Sequence, residues 1–246
     1  MSGHSKWATI KHKKGLADAA RGQKFTKLIK EISVAAKMGG PDPDSNARLR
    51  TAILKARAEN MPKDNITKAI KKGSGELGDA TFYELTYEGY APGGVAIIID
   101  TLTDNKNRTA EDVRSTLTKL GGSLGATGCV SYMFQTKGTI TYDATKYTED
   151  QIFEVALDAG AEDVQGDGEV IVVTTDPADF ASVLETLQGK GFEQLTADVE
   201  RVADQKVALD KEKAKKVMNI IDHLEELDDV QTVSSNIELP EDYDEE

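Results

Sequence analysis

The apolar positions change period twice along the chain. From Leu16 they recur at helical spacing. Phe25, Leu28, Ile29, Ile32 and Ala36 fall on one face and Lys24, Lys27, Lys30 and Lys37 on the other, until Gly39-Gly40-Pro41 stops the run. A cap at Asp44 or Ser45 predicts a second helix reaching about Asn60, with Leu49, Ala52, Ile53 and Ala56 as its stripe. Pro62 opens a third, with Ile66, Ala69 and Ile70 inward and Lys63, Lys68, Lys71 and Lys72 outward. Three short amphipathic helices can share one small core, and Gly73-Ser74-Gly75 reads as a linker behind them.

After the linker the pattern turns to strands. Phe82–Tyr90 alternates, Pro92-Gly93-Gly94 turns the chain, and Val95–Leu102 carries a continuous apolar run. A helix over Thr109–Leu120 ends at Gly121-Gly122, and Val130–Phe134 reads as a strand. A βαββαβ series follows: strand Thr139–Tyr142, helix Thr148–Ala159 with Thr148 and Gln151 as a capping box, strands near Asp163–Gln165 and Val170–Thr174, helix Pro177–Lys190 and strand Gln194–Val202. That order is the ferredoxin-like pattern. A last helix, Ala208–Leu227, and strand, Val230–Ile237, cannot stand alone and are expected to return to the earlier sheet. The fold class is therefore α+β: an N-terminal three-helix domain (1–75), then two ferredoxin-like-type α+β domains, the third (137–204) inserted in the second (76–136 plus 205–246). The acidic tail from Glu241 to Glu246 reads as mobile.

Charge sharpens this division. Met1 to Lys72 holds 17 Lys+Arg and 6 Asp+Glu, a net of +11, while the remaining 174 residues hold 13 and 37, a net of −24. Such a split points to a front that binds an anion and a back that keeps the molecule soluble. No apolar run approaches ~20 residues, so no membrane span is expected. The N-terminus lacks the apolar stretch of a secretory signal. A single cysteine, Cys129, excludes an internal disulfide framework and fits a cytoplasmic location; it reads as a small hydrophobe beside Val130. His4, His12 and His223 have no metal-ligand spacing, and no cofactor is implied.

The strongest candidate for function is the basic stretch from Ser2 to Lys30. Lys and Arg on an arm and on helix faces meet phosphates, and Trp7 and His12 between lysines suit stacking on bases. For Trp7 alone a packing anchor is the better reading. Gly122-Ser123-Leu124-Gly125 has the outline of a GXXG backbone clamp but follows a helix and holds no lysine, so a turn is the better reading. The glycines at 73–78 lack the Gly-Lys-Ser/Thr end of a phosphate loop. Asp100, Asp104 and Glu111 could approach one another near a strand end, yet no nucleophile elbow or zinc signature accompanies them, and no catalytic site is read.

The motifs GHSKWATIKHKK, RGQKFTKLIKEI, GGPDPDSNARLRTAILKARAENMPKDNITKAIKKGSG, YEGYAPGGVAIIIDTLTDNKNRTAEDVR and GGSLGATGCVSYMF resemble the YebC/PmpR family nearly end to end. The resemblance implies three domains with the third inserted in the second, and a transcriptional regulator that binds DNA in the cytoplasm. Mitochondrial relatives are translational activators, and bacterial relatives have been linked to ribosomes stalled on proline-rich stretches. Carried over by position, the basic signature falls on Lys6, Trp7, Lys11, His12, Lys13, Lys14, Arg21, Lys24 and Lys27, then on Arg48, Arg50, Lys55 and Arg57. Gly15-Leu16 and Ala19-Ala20 stand where more polar residues are usual, and Cys129 where a serine is usual.

Two functions compete, a DNA-binding transcriptional regulator and a ribosome-associated factor that binds ribosomal RNA or tRNA. A module that binds basic proteins through the acidic C-terminal domains is a third, and an enzyme comes last. The turn Gly39–Ser45 exceeds the ~3–4 residues of a helix-turn-helix, and no heptad for dimerisation is evident. Replacing Lys11, Lys13 and Lys14 by Glu should weaken binding to every nucleic acid, which filter binding on DNA and RNA would show; full retained affinity would refute the arm's role.

Overall fold

Three helices come first among the residues described in this computed structural model, namely 21–77, 81–166, 168–240 and 243. They are α1 (Arg21–Gly39), α2 (Ala47–Ala58) and α3 (Lys63–Gly73). Leu49, Ala52, Ile53 and Ala56 of α2 are buried as their spacing requires, against Ile32, Ala35 and Ala36 of α1 and Ile66 and Ala69 of α3. The cap of α2 is Asn46, not Asp44 or Ser45. Its side-chain oxygen accepts from the Leu49 amide at 3.0 Å, while its amide nitrogen donates to the Ala35 and Gly40 carbonyls at 2.8 Å. An amide side chain can accept at its oxygen while its nitrogen donates twice, and this one closes the end of α1 while opening α2.

Gly73 is not linker but helix. A methyl group there would stand 2.2 Å from the Ser33 carbonyl oxygen, so the glycine lets α3 lie close on α1. The Ser33 hydroxyl donates to the Ala69 carbonyl at 3.0 Å across the same contact.

β1 (Tyr83–Ala91) and β2 (Val95–Thr103) form a hairpin whose turn places Gly93 and Gly94 at φ 85° and 77°, a region that favours glycine. Next come α4 (Lys106–Lys119) and the short β3 (Ser123–Leu124). The chain then builds a second sheet before α7 (Lys211–Glu225) and β9 (Val230–Ser235) return to the first, completing the antiparallel order β3-β1-β2-β9. Val95, Ile97 and Ile99 pack against Val113, Leu117, Val217 and Ile221 of α4 and α7. Ala96 and Ile98 pack on the opposite face against Val130 and Phe134. β2 is thus covered on both faces, which is why its sequence runs apolar instead of alternating.

Val130–Phe134 is not a strand. The buried Glu88 carboxylate accepts the amides of Gly128, Val130 and Ser131 at 2.7–2.9 Å, which curls the chain into a 3₁₀ turn, Ser131–Met133. Amides gathered on one carboxylate cannot form a ladder. β4 starts only at Phe134 and runs unbroken to Asp143.

The second sheet joins β4, β5 (Asp163–Gly166), β6 (Val170–Thr175) and β7 (Thr196–Ala203) in the antiparallel order β5-β6-β4-β7, with α5 (Glu149–Asp158) and α6 (Phe180–Gly189) on one face. This is the ferredoxin-like order read from the sequence, and the Thr148/Gln151 capping box is formed. The split sheet also carries its helices α4 and α7 on one face but strings its strands differently. A parallel pair, β8 (Val207–Ala208) and β10 (Ile237–Glu238), flanks it. Tyr243 is buried in the core of the first sheet, and the tail residues on either side of it, 241–242 and 244–246, lie outside the described part.

Gly73→Ala should lower stability by about 1–3 kcal/mol through overpacking of α3 on α1, measurable by chemical denaturation.

Candidate nucleic-acid interface

Of the basic signature, Lys6, Trp7, Lys11, His12, Lys13 and Lys14 lie outside the described residues, as does the side chain of Arg21. The others are in view, and several are turned inward. The Lys27 ammonium donates to the Glu225 carbonyl at 2.6 Å, Gln23 donates to the Glu226 carbonyl at 3.1 Å, and Lys30 donates to the Asp228 carbonyl at 2.9 Å. These are carbonyls at and just past the C-terminus of α7, at the negative end of its dipole. The face of α1 that periodicity assigns to solvent therefore caps another helix. Burial pushes the Lys27 ammonium below its ordinary pKa, partly countered by the charges of Glu225 and Asp228. Lys24 faces Glu59 at 3.6 Å.

Beside this contact lies Asp229, 5% exposed. One oxygen accepts from Lys30 at 2.7 Å. The other accepts from Arg108 Nη2 at 2.7 Å, Thr109 Oγ1 at 2.8 Å and Thr103 Oγ1 at 3.0 Å. Burial alone would raise the carboxyl pKa, but Lys30, Arg108 and Thr109 outweigh it and hold it at about 2. One side chain thus joins α1, the end of β2, the start of α4 and the start of β9.

Arg48 forks onto both oxygens of Glu31 at 2.7 and 3.0 Å and reaches Glu84 of β1 at 2.6 Å. The Glu31 hydrogen bonds, with Glu84 behind them, raise its pKa further. Lys55 of α2 pairs with Asp198 of β7, and Arg201 of β7 forks onto Asp100 of β2 at 2.9 and 3.1 Å. Arg50 points at the Pro43 and Asp44 carbonyls from 3.4 and 3.3 Å. The helical unit and the two sheets are therefore pinned together by ion pairs, two of them, Arg48–Glu84 and Lys55–Asp198, drawn from residues of the basic signature. Sequence spacing gave no signal for the pairing of Asp229 with Lys30 and Arg108 or of Asp100 with Arg201, because these partners are 100 or more residues apart.

The cations left over gather elsewhere. Arg57 near the end of α2 and Lys63, Lys68 and Lys71 of α3 are exposed, and none makes an ion pair among the described residues. Lys72 lies over the Phe82 ring at 5.6 Å. The connection 59–62 between α2 and α3 is short, with Asn60 at φ 59°. Its length is that of a helix-turn-helix, which the longer connection 40–46 is not.

Two family descriptions match the chain: "TACO1/YebC protein N-terminal domain" over residues 5–76 and "TACO1/YebC second and third domain" over 82–237. The chain belongs to the TACO1/YebC family. A relative in Treponema denticola is 66% identical over 99% of this chain and 98% of its own, and one in Trichlorobacter lovleyi is 53% identical over 98% of each; both are named "Probable transcriptional regulatory protein". The crystal structure of a conserved hypothetical protein from Aquifex aeolicus superposes with a TM-score of 0.83 at 49% identity, covering 92% of this chain and 93% of that one.

The other motifs resolve into structure. Ser123 and Leu124 of the GXXG outline pair with β1, and Gly125 sits against the Cys129 sulfur. Burial pushes the Cys129 thiol up, with Glu88 adding to it, which disfavours a nucleophilic thiolate. Asp100 is engaged by Arg201 and Asp104 by Arg108, so they are not shared with Glu111 in one site. Among the described residues no group of three or more His, Cys, Asp and Glu is placed to hold a metal ion, and no helix is long and apolar enough to cross a membrane.

The folded carboxyl of Asp229 titrates near 2 against an ordinary value of 3.8, so its stabilisation is full above pH ~4 and is lost as pH falls toward 2. About 2 kcal/mol should disappear over that window in denaturation midpoints, and Asp229→Asn should abolish that pH-dependent component while lowering stability at neutral pH.

Proposed function

We propose that this protein is a nucleic-acid-binding regulator of gene expression, a DNA-binding transcriptional regulator that makes its contacts through the basic N-terminal region. The observation that carries this reading is the outer face of α3. Its exposed positions are Lys63, Asp64, Thr67, Lys68, Lys71 and Lys72, and it follows a short turn from α2, where Arg57 is exposed. Cations with no ion partner, on a helix braced by a buried inner face, are free to meet phosphates. The sequence of residues 1–20 adds four lysines to the basic N-terminal region, and the names of the relatives agree with a regulatory role. Lys27, Arg48 and Lys55, by contrast, serve the proposed function by holding the basic unit on the acidic body.

A second reading, a translation factor on ribosomal RNA or tRNA, is favoured by one feature of that face. Its fully exposed positions offer lysines but none of Arg, Asn or Gln, the side chains that most often read base edges in pairs of hydrogen bonds, and Asn65 is half-buried. Lysines alone recognise a backbone more than a sequence.

Replacing Lys63, Lys68 and Lys71 by Ala should weaken binding to duplex DNA and to ribosomal RNA about tenfold or more. It should also flatten the salt dependence of log K by about 2–3, close to 0.9 per lost phosphate contact. Unchanged affinity and slope would refute α3 as the contact face. Sucrose-gradient sedimentation from DNase-treated lysate separates the readings: migration with ribosomes that these substitutions abolish favours translation, and a position at the top of the gradient favours DNA.

A further inference from the structure

The charge of the back half is concentrated in one place. Residues 137–204 hold 4 Lys+Arg against 16 Asp+Glu, a net of −12 in 68 residues. Within this stretch, α5 presents two ridges to solvent. One is apolar: Phe153 and Leu157, four residues apart, are 43% and 39% exposed, and neither belongs to the core that Ile152 and Ala156 join beneath them. The neighbouring ridge, Asp150, Glu154 and Asp158, is wholly acidic and exposed. None of its three carboxylates forms an ion pair among the described residues.

This arrangement works against the helix that carries it. Like charges at i,i+4 repel, and Asp158 ends α5 at the negative end of its dipole, where no basic residue stands in the last turn. Folding does not explain an exposed phenylalanine beside such a row. A partner with the opposite pattern does.

We infer that the outer face of α5 is a docking surface for a basic amphipathic helix of another protein, its apolar side seated on Phe153 and Leu157 and its Lys or Arg residues facing Asp150, Glu154 and Asp158. The acidic field steers a cationic partner in, and the apolar pair fixes its place. The same field repels nucleic acid, so this surface is separate from the face proposed on α3.

The test uses the full chain and a labelled 14-residue helical peptide of Lys and Leu, with a Lys/Ser peptide of equal charge as control, read by fluorescence anisotropy. Phe153→Ser with Leu157→Ser should weaken the Lys/Leu peptide about tenfold and leave nucleic-acid binding and the melting temperature unchanged. Asp158→Lys should weaken the peptide while raising the melting temperature. Removing two acidic groups elsewhere in the same stretch, Glu185→Ser with Glu193→Ser, should have little effect. Equal binding of both peptides, or equal loss in the Glu185/Glu193 variant, would reduce the surface to non-specific charge and overturn the inference. A concentration-dependent dimer that the Phe153/Leu157 variant abolishes in sedimentation equilibrium would overturn it too, since a second copy would then be the occupant. Loss of nucleic-acid binding in that variant would overturn the separation from α3.

Discussion

Asp229 is the carboxylate on which the assembly of this protein turns. A buried carboxylate is tolerated only where its charge is met, and here one oxygen takes an ammonium and the other a guanidinium and two hydroxyls. The donors come from α1, the end of β2 and α4, so none of these can shift without stranding a charge. The neighbouring end of α7 is held in the same way, with Lys27 and Gln23 donating to carbonyls that a helix cannot satisfy for itself. The contact between the helical unit and the first sheet is therefore polar and geometrically exacting.

That contact changes what the positive charge of the first 72 residues means. Part of it is spent internally, on α7, Asp229, Glu84 and Asp198, where a cation that leaves its partner also leaves a carboxylate or carbonyl unmatched. The cations of α3 and Arg57 have no such obligation among the described residues. A phosphate backbone competes poorly for the first set and freely for the second. The described cations thus divide into a structural set and a set without an ion partner among the described residues, and under the proposed function the second set, together with the lysines of residues 1–20, is the one expected to show in salt dependence.

The acidic half divides in a parallel way. Asp100, Asp198, Asp229 and Glu88 are structural, Glu88 by gathering three amides into the turn before β4. Burial pushes its carboxyl up, but the amides of Val130, Gly128 and Ser131 pull it below its usual value, so it stays ionised and keeps the turn closed. The row on α5 forms no ion pair among the described residues, and the proposed docking role rests on that difference.

Much of the fold was legible in the sequence because the helices and the second sheet are local in their physics. The stripes Leu49/Ala52/Ile53/Ala56 and Ile66/Ala69 follow from the helical period, the Thr148/Gln151 box from capping geometry, and the βαββαβ order from the change of period. The clusters on α1 were legible as cations but not as to their use, since periodicity separates an apolar face from a charged one and says nothing of what meets the charged face. Asn46 displaced Asp44 and Ser45 as a cap because its amide also closes α1, a contact visible only in three dimensions. Glu88 converted an apparent strand, Val130–Phe134, into a turn from about 40 residues away. The sequence by itself determined most of the elements, the class and the sign of each half. Tertiary structure alone decided which lysines and arginines are free, because each pairing across 100 or more residues depends on where sheets and helices come to rest.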